Sequence, residues 1–327
     1  MPMTENLARV LLPAAIAASC LLPPASHAQW QPAKPMRIIV PFPPGGGTDK
    51  LARMVAARLS TTLGQTVVVD NRPGAGGVVG TEMVAKSPPD GHTMLIITAA
   101  FTMGAAMRSK LPYDPINDLA PVTVFAIAPS MMVVHPSVPA KSVKELIAFA
   151  KANPGKLNYG SSGGGAPYHI ATEMFKSMAG IDIAHVPYKG AAPAVVAALS
   201  GEVALLIANI ISALPQAKSG RLRALGVTTQ KRSPLAPQIP TIAEAGLPGY
   251  EFATWFGVLV PAGTPQAAIQ RLYSEYRQTV NTAEFRAAVL ADGADTAELT
   301  PDQFAQVIKS DIQRYAKLAK TVGMSVD

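Results

Sequence analysis

From residue 36 onward, short apolar runs alternate with stretches whose apolar residues recur at helical spacing. Runs of four to seven aliphatic, often β-branched, residues read as buried strands, and alternation with helix-period stretches is the pattern of parallel α/β units. A strand is predicted at Met36 to Val40, then a helix over 49–63 with Leu51, Met54, Val55 and Leu59 on one face. Strands at 66–69 and 93–98 enclose a short helix at 80–86, and a long extended stretch covers 119–134. A helix over 142–152 stops before Pro154-Gly155. Strands at 157–160 and 183–186 then alternate with helices at 166–179 and 192–200. Strands at 203–208, 222–227 and 252–260 and helices at 266–281 and 301–322 complete the reading.

Three glycine-rich turns each stand behind a predicted strand: Phe42-Pro43-Pro44-Gly45-Gly46-Gly47-Thr48-Asp49, Pro73-Gly74-Ala75-Gly76-Gly77 and Gly160-Ser161-Ser162-Gly163-Gly164-Gly165. The first and third run into helical stretches. A glycine turn at a helix start exposes unpaired backbone N–H groups at the positive end of the helix dipole, which suits an anion without a lysine or a metal. The same glycines also serve a plain tight turn. Asp49 reads equally as a cap for its own backbone or as a cleft residue that favours a hydroxyl, ammonium or water.

The extended stretches 122–134 and 252–260 bracket a middle block with its own α/β units. Two chain crossings imply a discontinuous first domain, residues 29–125 plus 255–327, and a second domain, 126–254. Ligands of such folds sit in the crevice at the carboxyl ends of the strands. Residues 1–28 are expected to be a secretory signal: Arg9 with Glu5 before an apolar Val10–Leu22 run, then Ser26-His27-Ala28 as a cleavage site. Export to the periplasm follows from that expectation. Cleavage after Ala28 removes Cys20, the one cysteine, and with it disulfide, thiolate and zinc–sulfur chemistry. The alternative, a lipidated Cys20, is preceded by the poorly matching Ala17-Ala18-Ser19.

Lys and Arg number 28 against 21 Asp and Glu, a net charge of +7 that is scattered without a stripe or interleaved aromatics. That argues against nucleic acid and permits an anionic small molecule. Ser162 completes a G-x-S-x-G pattern, so a secreted serine hydrolase is the rival reading, but only His169 and His185 follow it and both come early in the remaining chain. No metal spacing, nucleotide fingerprint or paired catalytic carboxylates occur, so no cofactor is expected. Trp255 reads as core or as a cleft lining.

In order along the chain, the first turn, Asp70-Asn71-Arg72-Pro73-Gly74-Ala75-Gly76-Gly77, Pro89-Asp90-Gly91-His92-Thr93 and Tyr113-Asp114-Pro115 resemble one family. The series continues through Asn153-Pro154-Gly155-Lys156-Leu157-Asn158-Tyr159-Gly160-Ser161-Ser162-Gly163, His185-Val186-Pro187-Tyr188-Lys189-Gly190 and Pro261-Ala262-Gly263-Thr264-Pro265. The family is the extracytoplasmic solute receptors of tripartite tricarboxylate transporters, the Bug receptors. The resemblance implies a type II periplasmic binding protein fold, two α/β domains with a ligand cleft between them. It also implies a non-enzymatic, monomeric receptor that closes on a small organic carboxylate, a di- or tricarboxylate or an aromatic acid, and passes it to membrane permease subunits. A signalling receptor is the alternative to uptake. Carried over by motif, the ligand residues are Phe42, Gly45, Gly46, Gly47 and Asp49 from one domain and Ser161, Ser162, Gly163, Gly165 and His169 from the other. Thr98 and Ala99 are expected to border the cleft, and Tyr188 to form a wall or gate. Departures include Val78 and His92, where the family often has asparagine and tyrosine. The stretch 201–209 also lacks the family's aspartates, which favours an aromatic or less charged acid over citrate-like ligands.

Overall fold

The computed structural model describes residues 30–163 and 166–322. The expected signal segment, Cys20 and Gly165 lie outside the described residues. In chain order the elements are β1 (Met36–Val40), α1 (Gly47–Leu63), β2 (Val67–Asn71), α2 (Val78–Ala85), β3 (Thr93–Thr98), α3 (Ala100–Met107) and β4 (Leu119–Val134). They continue with α4 (Val143–Ala152), β5 (Asn158–Ser161), α5 (Pro167–Ala179), β6 (Ala184–Pro187), α6 (Ala191–Ser200), β7 (Leu205–Asn209), α7 (Ile210–Lys218) and β8 (Arg223–Val227). The last are β9 (Ala253–Pro261), α8 (Gln266–Val280), α9 (Ala283–Ala291), β10 (Asp295–Thr296) and α10 (Pro301–Val322).

The strands join in the order β2-β1-β3-β9-β4-β7-β5-β6, with β8 and β10 also against β4. Strands β1, β2 and β3 are mutually parallel, as are β5, β6 and β7. Strand β9 is antiparallel to both β3 and β4, and β4 is antiparallel to β7. Strand β4 therefore serves two half-sheets that run in opposite senses along it. The carboxyl ends of β1–β3 point toward the second half, and those of β5–β7 point back toward the first. The register places the two sets of ends close together. The Ala99 N–H donates to the Trp255 carbonyl, Trp255 lies opposite Ile127, and Asn209 lies opposite Ser130. Along the strand direction the step from Ile127 to Ser130 on β4 separates them, roughly 10 Å at the usual strand rise, and β9 and β4 lie between β3 and β7 across the sheet.

Apolar side chains from both halves form the core. Ile39, Ile97, Tyr159, Phe175, Trp255 and Phe304 belong to one cluster, and Val133, Ala194, Leu206 and Ala208 to another on the second half. Trp255 is a core residue: its ring meets Phe304 edge-on at 5.1 Å, and its Nε1 donates to the buried Asp311 at 3.0 Å. Three helices were not anticipated. Helix α3 (AFTMGAAM) has no polar face, so it carries no amphipathic period. Helix α7 contains Pro215, an interior helix breaker, and α9 is a short helix behind a Thr282 cap. No described helix is long and apolar enough to cross a membrane.

Candidate functional site

Capping follows position for most helices, with α8 as the exception: it has no side-chain cap although it starts at the far end of the sheet, after Pro261. Helices α4 and α9 begin at Ser142 and Thr282, whose side chains accept a backbone N–H of the first turn. Helix α10 begins with a reciprocal pair: the Gln303 N–H donates to Thr300 Oγ1, and the Thr300 N–H donates to Gln303 Oε1. By contrast α1, α2, α5 and α6, which follow β1, β2, β5 and β6, have no side-chain cap. On that side α7 is capped by Asn209, and the Thr98 hydroxyl accepts the first N–H of α3. Four helix starts without a side-chain cap therefore lie at the strand ends that face each other. Leaving a cap unmade typically costs about 1 kcal/mol, so this concentration of uncapped starts fits a place where a ligand takes the cap's role.

The first turn is held by a carboxylate. Asp49 sits in the first turn of α1 and is 3% exposed. Its Oδ2 accepts from the Gly45 N–H at 2.9 Å and from Arg53 Nε at 3.0 Å, and its Oδ1 accepts from Asn71 Nδ2 at 3.0 Å. Asn71 Nδ2 also donates to the Phe42 carbonyl. Burial pushes the Asp49 carboxyl up, but the hydrogen bonds from Arg53, Gly45 and Asn71 outweigh it and hold the group below its ordinary value. Of the two roles open to Asp49, its contacts describe the one that serves its own backbone, at the Gly45 N–H just ahead of the helix start. Gly45 adopts φ +84°, where a Cβ is strained. Gly45, Gly46 and Gly47 are exposed, and a Cβ on Gly45 or Gly47 would meet no atom within 4 Å. Phe42 is half-buried.

The second turn is held by neutral groups. Ser161 is fully buried at the end of β5. Its Oγ accepts from the Gly163 N–H at 3.1 Å and lies 2.6 Å from His185 Nε2. His185 stacks against His169 (ring centroids 4.0 Å apart) and against Tyr159 (4.8 Å), and those two rings also lie 6.3 Å from each other. The Tyr159 hydroxyl donates to the buried Glu173 at 2.5 Å, and Lys176 pairs with the same Glu173 oxygen at 2.8 Å. Burial, with His169 second, pushes His185 down to about 4, and burial also lowers His169. Both rings are therefore neutral near pH 7. Ser162, next in the turn, is half-exposed.

Thr98 ends β3 and its hydroxyl accepts from the Ala100 N–H, while Ala99 is fully buried before α3. The Tyr188 ring lies against Gly160, and its hydroxyl donates to Glu202 at 2.7 Å. His92 is pinned near Ala33 and Asp90, at the opposite end of β3. The histidine of the hydrolase reading does meet a serine, but it is the buried Ser161 and not Ser162 of the G-x-S-x-G pattern. Among the described residues, no group of three His, Cys, Asp or Glu side chains could hold a metal ion. Arg53, Asn71, Tyr159, Glu173 and His185 were not singled out from sequence as parts of the two turns. The His169/Glu173 spacing of one helical turn and the Tyr159/Ser161 alternation were the signals available. Two surface cavities, of about 360 and 540 Å³, lie elsewhere, the first beside Leu214 and Arg223 and the second beside Arg58 and Arg277.

Residues 51–324 match the tripartite tricarboxylate transporter family receptor. Among solved structures, R. palustris Rpa4515 with adipate is 39% identical at a TM-score of 0.70, covering 90% of this chain and 99% of that one. MatC (Rpa3494) from Rhodopseudomonas palustris with bound malate is 28% identical at 0.66, covering 88% and 99%. A TctC solute binding protein from Polaromonas, without ligand, is 26% identical at 0.82, covering 89% and 99%. The α/β architecture is that of periplasmic solute-binding proteins, and these relatives are receptors rather than enzymes.

Proposed function

The chain belongs to the tripartite tricarboxylate transporter receptor family, and we propose from that premise that it is a periplasmic receptor that captures a small organic carboxylate and delivers it to a membrane permease. The observation that carries this reading is the set of four helix starts without a side-chain cap at the facing strand ends. A carboxylate needs several donors for its lone pairs. Backbone N–H groups at helix starts supply them and add the favourable end of the helix dipole. The first half offers the N–H groups of Gly46, Gly47 and Thr48, and the second offers those at the start of α5 with the Ser162 hydroxyl. The neighbours solved with adipate and malate support an aliphatic carboxylate as ligand. The exposed Ile211, in the first turn of α7 just past the carboxyl end of β7, favours an acid with an apolar body over a tricarboxylate.

The two halves, 29–125 with 255–327 and 126–254, act as domains in this reading. A ligand that bridges both turns favours the closed arrangement by its difference in affinity for closed over open. The unliganded Polaromonas neighbour superposes better than the adipate-bound one despite its lower identity. That order supports halves that move relative to each other. A thermal-shift panel of adipate, malate, citrate and benzoate tests the reading. A concentration-dependent rise in Tm for one class is expected. No rise with any acid, in protein that mass spectrometry shows to carry no co-purified ligand, would overturn it.

A further inference from the structure

Ser161 stands in the ligand-turn motif, yet it is fully buried. Its role must pass through something else. One hydroxyl spans Gly163: Ser161 Oγ takes the Gly163 N–H at 3.1 Å and lies 3.2 Å from the Gly163 carbonyl. That carbonyl accepts the N–H of Ala166, the N-cap residue of α5. Gly163 has φ +130°, so the turn adopts a shape that a side chain at this position does not favour and that needs a fixed partner.

A hydroxyl has one hydrogen and two lone pairs. With the Gly163 N–H accepted, the remaining valences are satisfied in two ways. His185 Nε2–H donates to Oγ while the hydroxyl hydrogen goes to the Gly163 carbonyl, or the hydroxyl donates to an unprotonated Nε2. Both need the His185 ring where it stands, 2.6 Å away. The ring is held there by its contacts with His169 and Tyr159 in a three-ring cluster, and Tyr159 is anchored on Glu173. The parallel register sets Tyr159 opposite His185, which puts both on the face that α5 covers.

Resting on the receptor reading above, we propose that His185 is the positioning residue of the second ligand turn: through Ser161 it fixes Gly163 and so aims the amides that open α5. His185 does not touch the ligand. Its effect runs from β6 to Ser161, to Gly163 and to the N-cap residue of α5.

The test is amide hydrogen exchange at Gly163 and Ala166 in the ligand-free protein, read by NMR, with Leu206 in β7 as a control for global folding. His185→Phe keeps a flat ring in the stack and removes Nε2, whereas His185→Gln restores an amide within reach of Ser161. Exchange at Gly163 is expected to rise about tenfold in His185→Phe and in Ser161→Ala, the scale of one net hydrogen bond. The double variant should add nothing, and His185→Gln should return to near wild type. Should His185→Phe unfold, Ser161→Ala and His185→Gln still decide. Unchanged Gly163 exchange in Ser161→Ala, or in a folded His185→Phe, overturns the proposal. Titration with adipate and malate is the second arm, where His185→Phe should bind more weakly than wild type. If wild type binds neither acid, the receptor reading suffers while the exchange data still judge the positioning role.

Discussion

The two glycine turns present similar uncapped helix starts and are built from opposite chemistry. The first is tied down by an ionised carboxylate, Asp49, which gathers the Gly45 N–H, Arg53 and Asn71. The second is tied down by a neutral ring cluster in which Ser161 leans on His185, packed against His169 and Tyr159. A negative charge behind the first turn would repel a carboxylate, but it is neutralised by Arg53. Behind the second turn the negative charge is Glu173, which is paired with Lys176 and takes the Tyr159 hydroxyl. The difference teaches that an anion site needs free N–H groups in front and satisfied polar groups behind, and that either charge or stacking can supply the backing.

Breaking the first backing has the largest expected effect. Asp49→Ala leaves the Gly45 N–H and Asn71 without their acceptor and should cost about 2–3 kcal/mol in urea unfolding. Arg53, which is mostly exposed, regains water and adds little. The exchange of the Gly163 amide should not change, because the two backings share no residue.

Ser162→Ala tests the front of the second turn. Stability should stay near wild type, and affinity for the bound acid should fall by about 1.5–3 kcal/mol, the worth of one hydrogen bond to a charge, in calorimetric titration. Tyr159→Phe tests its back. It removes the donor to the Glu173 carboxylate while Lys176 remains, so a loss of about 1–2 kcal/mol in stability is expected.

Much of this was legible in the sequence, and the part that was not has a physical reason. Alternation of apolar runs and helical stretches located most strands, and the long runs at 119–134 and 252–260 are the strands β4 and β9 that connect the halves. Helix α3 was invisible because it is apolar all round, and α7 because Pro215 breaks the rule that normally identifies helices. The glycine turns were readable because glycine and strand–helix order are local. Their backing was not. Asn71 reaches Asp49 because β2 pairs with β1, and His185 reaches Ser161 because β6 pairs with β5. Such registers are set by the sheet and not by any neighbouring residue.

Acid separates the two backings with the smallest perturbation. The folded value of His185, about 4, lies below its unfolded value of 6.5. Between these limits the unfolded chain binds a proton that the folded chain refuses, so this part of the stability is complete above 6.5 and is lost as the pH falls toward 4. Asp49 behaves otherwise, because its depressed value keeps it ionised until the pH drops below the ordinary carboxylate value of 3.8. In the window from 6.5 to about 4, the protection of the Gly163 amide relative to its intrinsic exchange rate should fall while that of Gly45 stays constant. Equal loss of protection at both turns would mean that the neutral ring cluster does not hold the second.

The most direct test of the central claim follows the backbone amides of both turns by NMR as adipate, or the acid selected by thermal shift, is added. Gly46 and Gly47 in the first half and Ser162 and Gly163 in the second should titrate together with a single dissociation constant, as one ligand bridging two helix starts requires. Shifts confined to one turn, or to neither, would contradict the account.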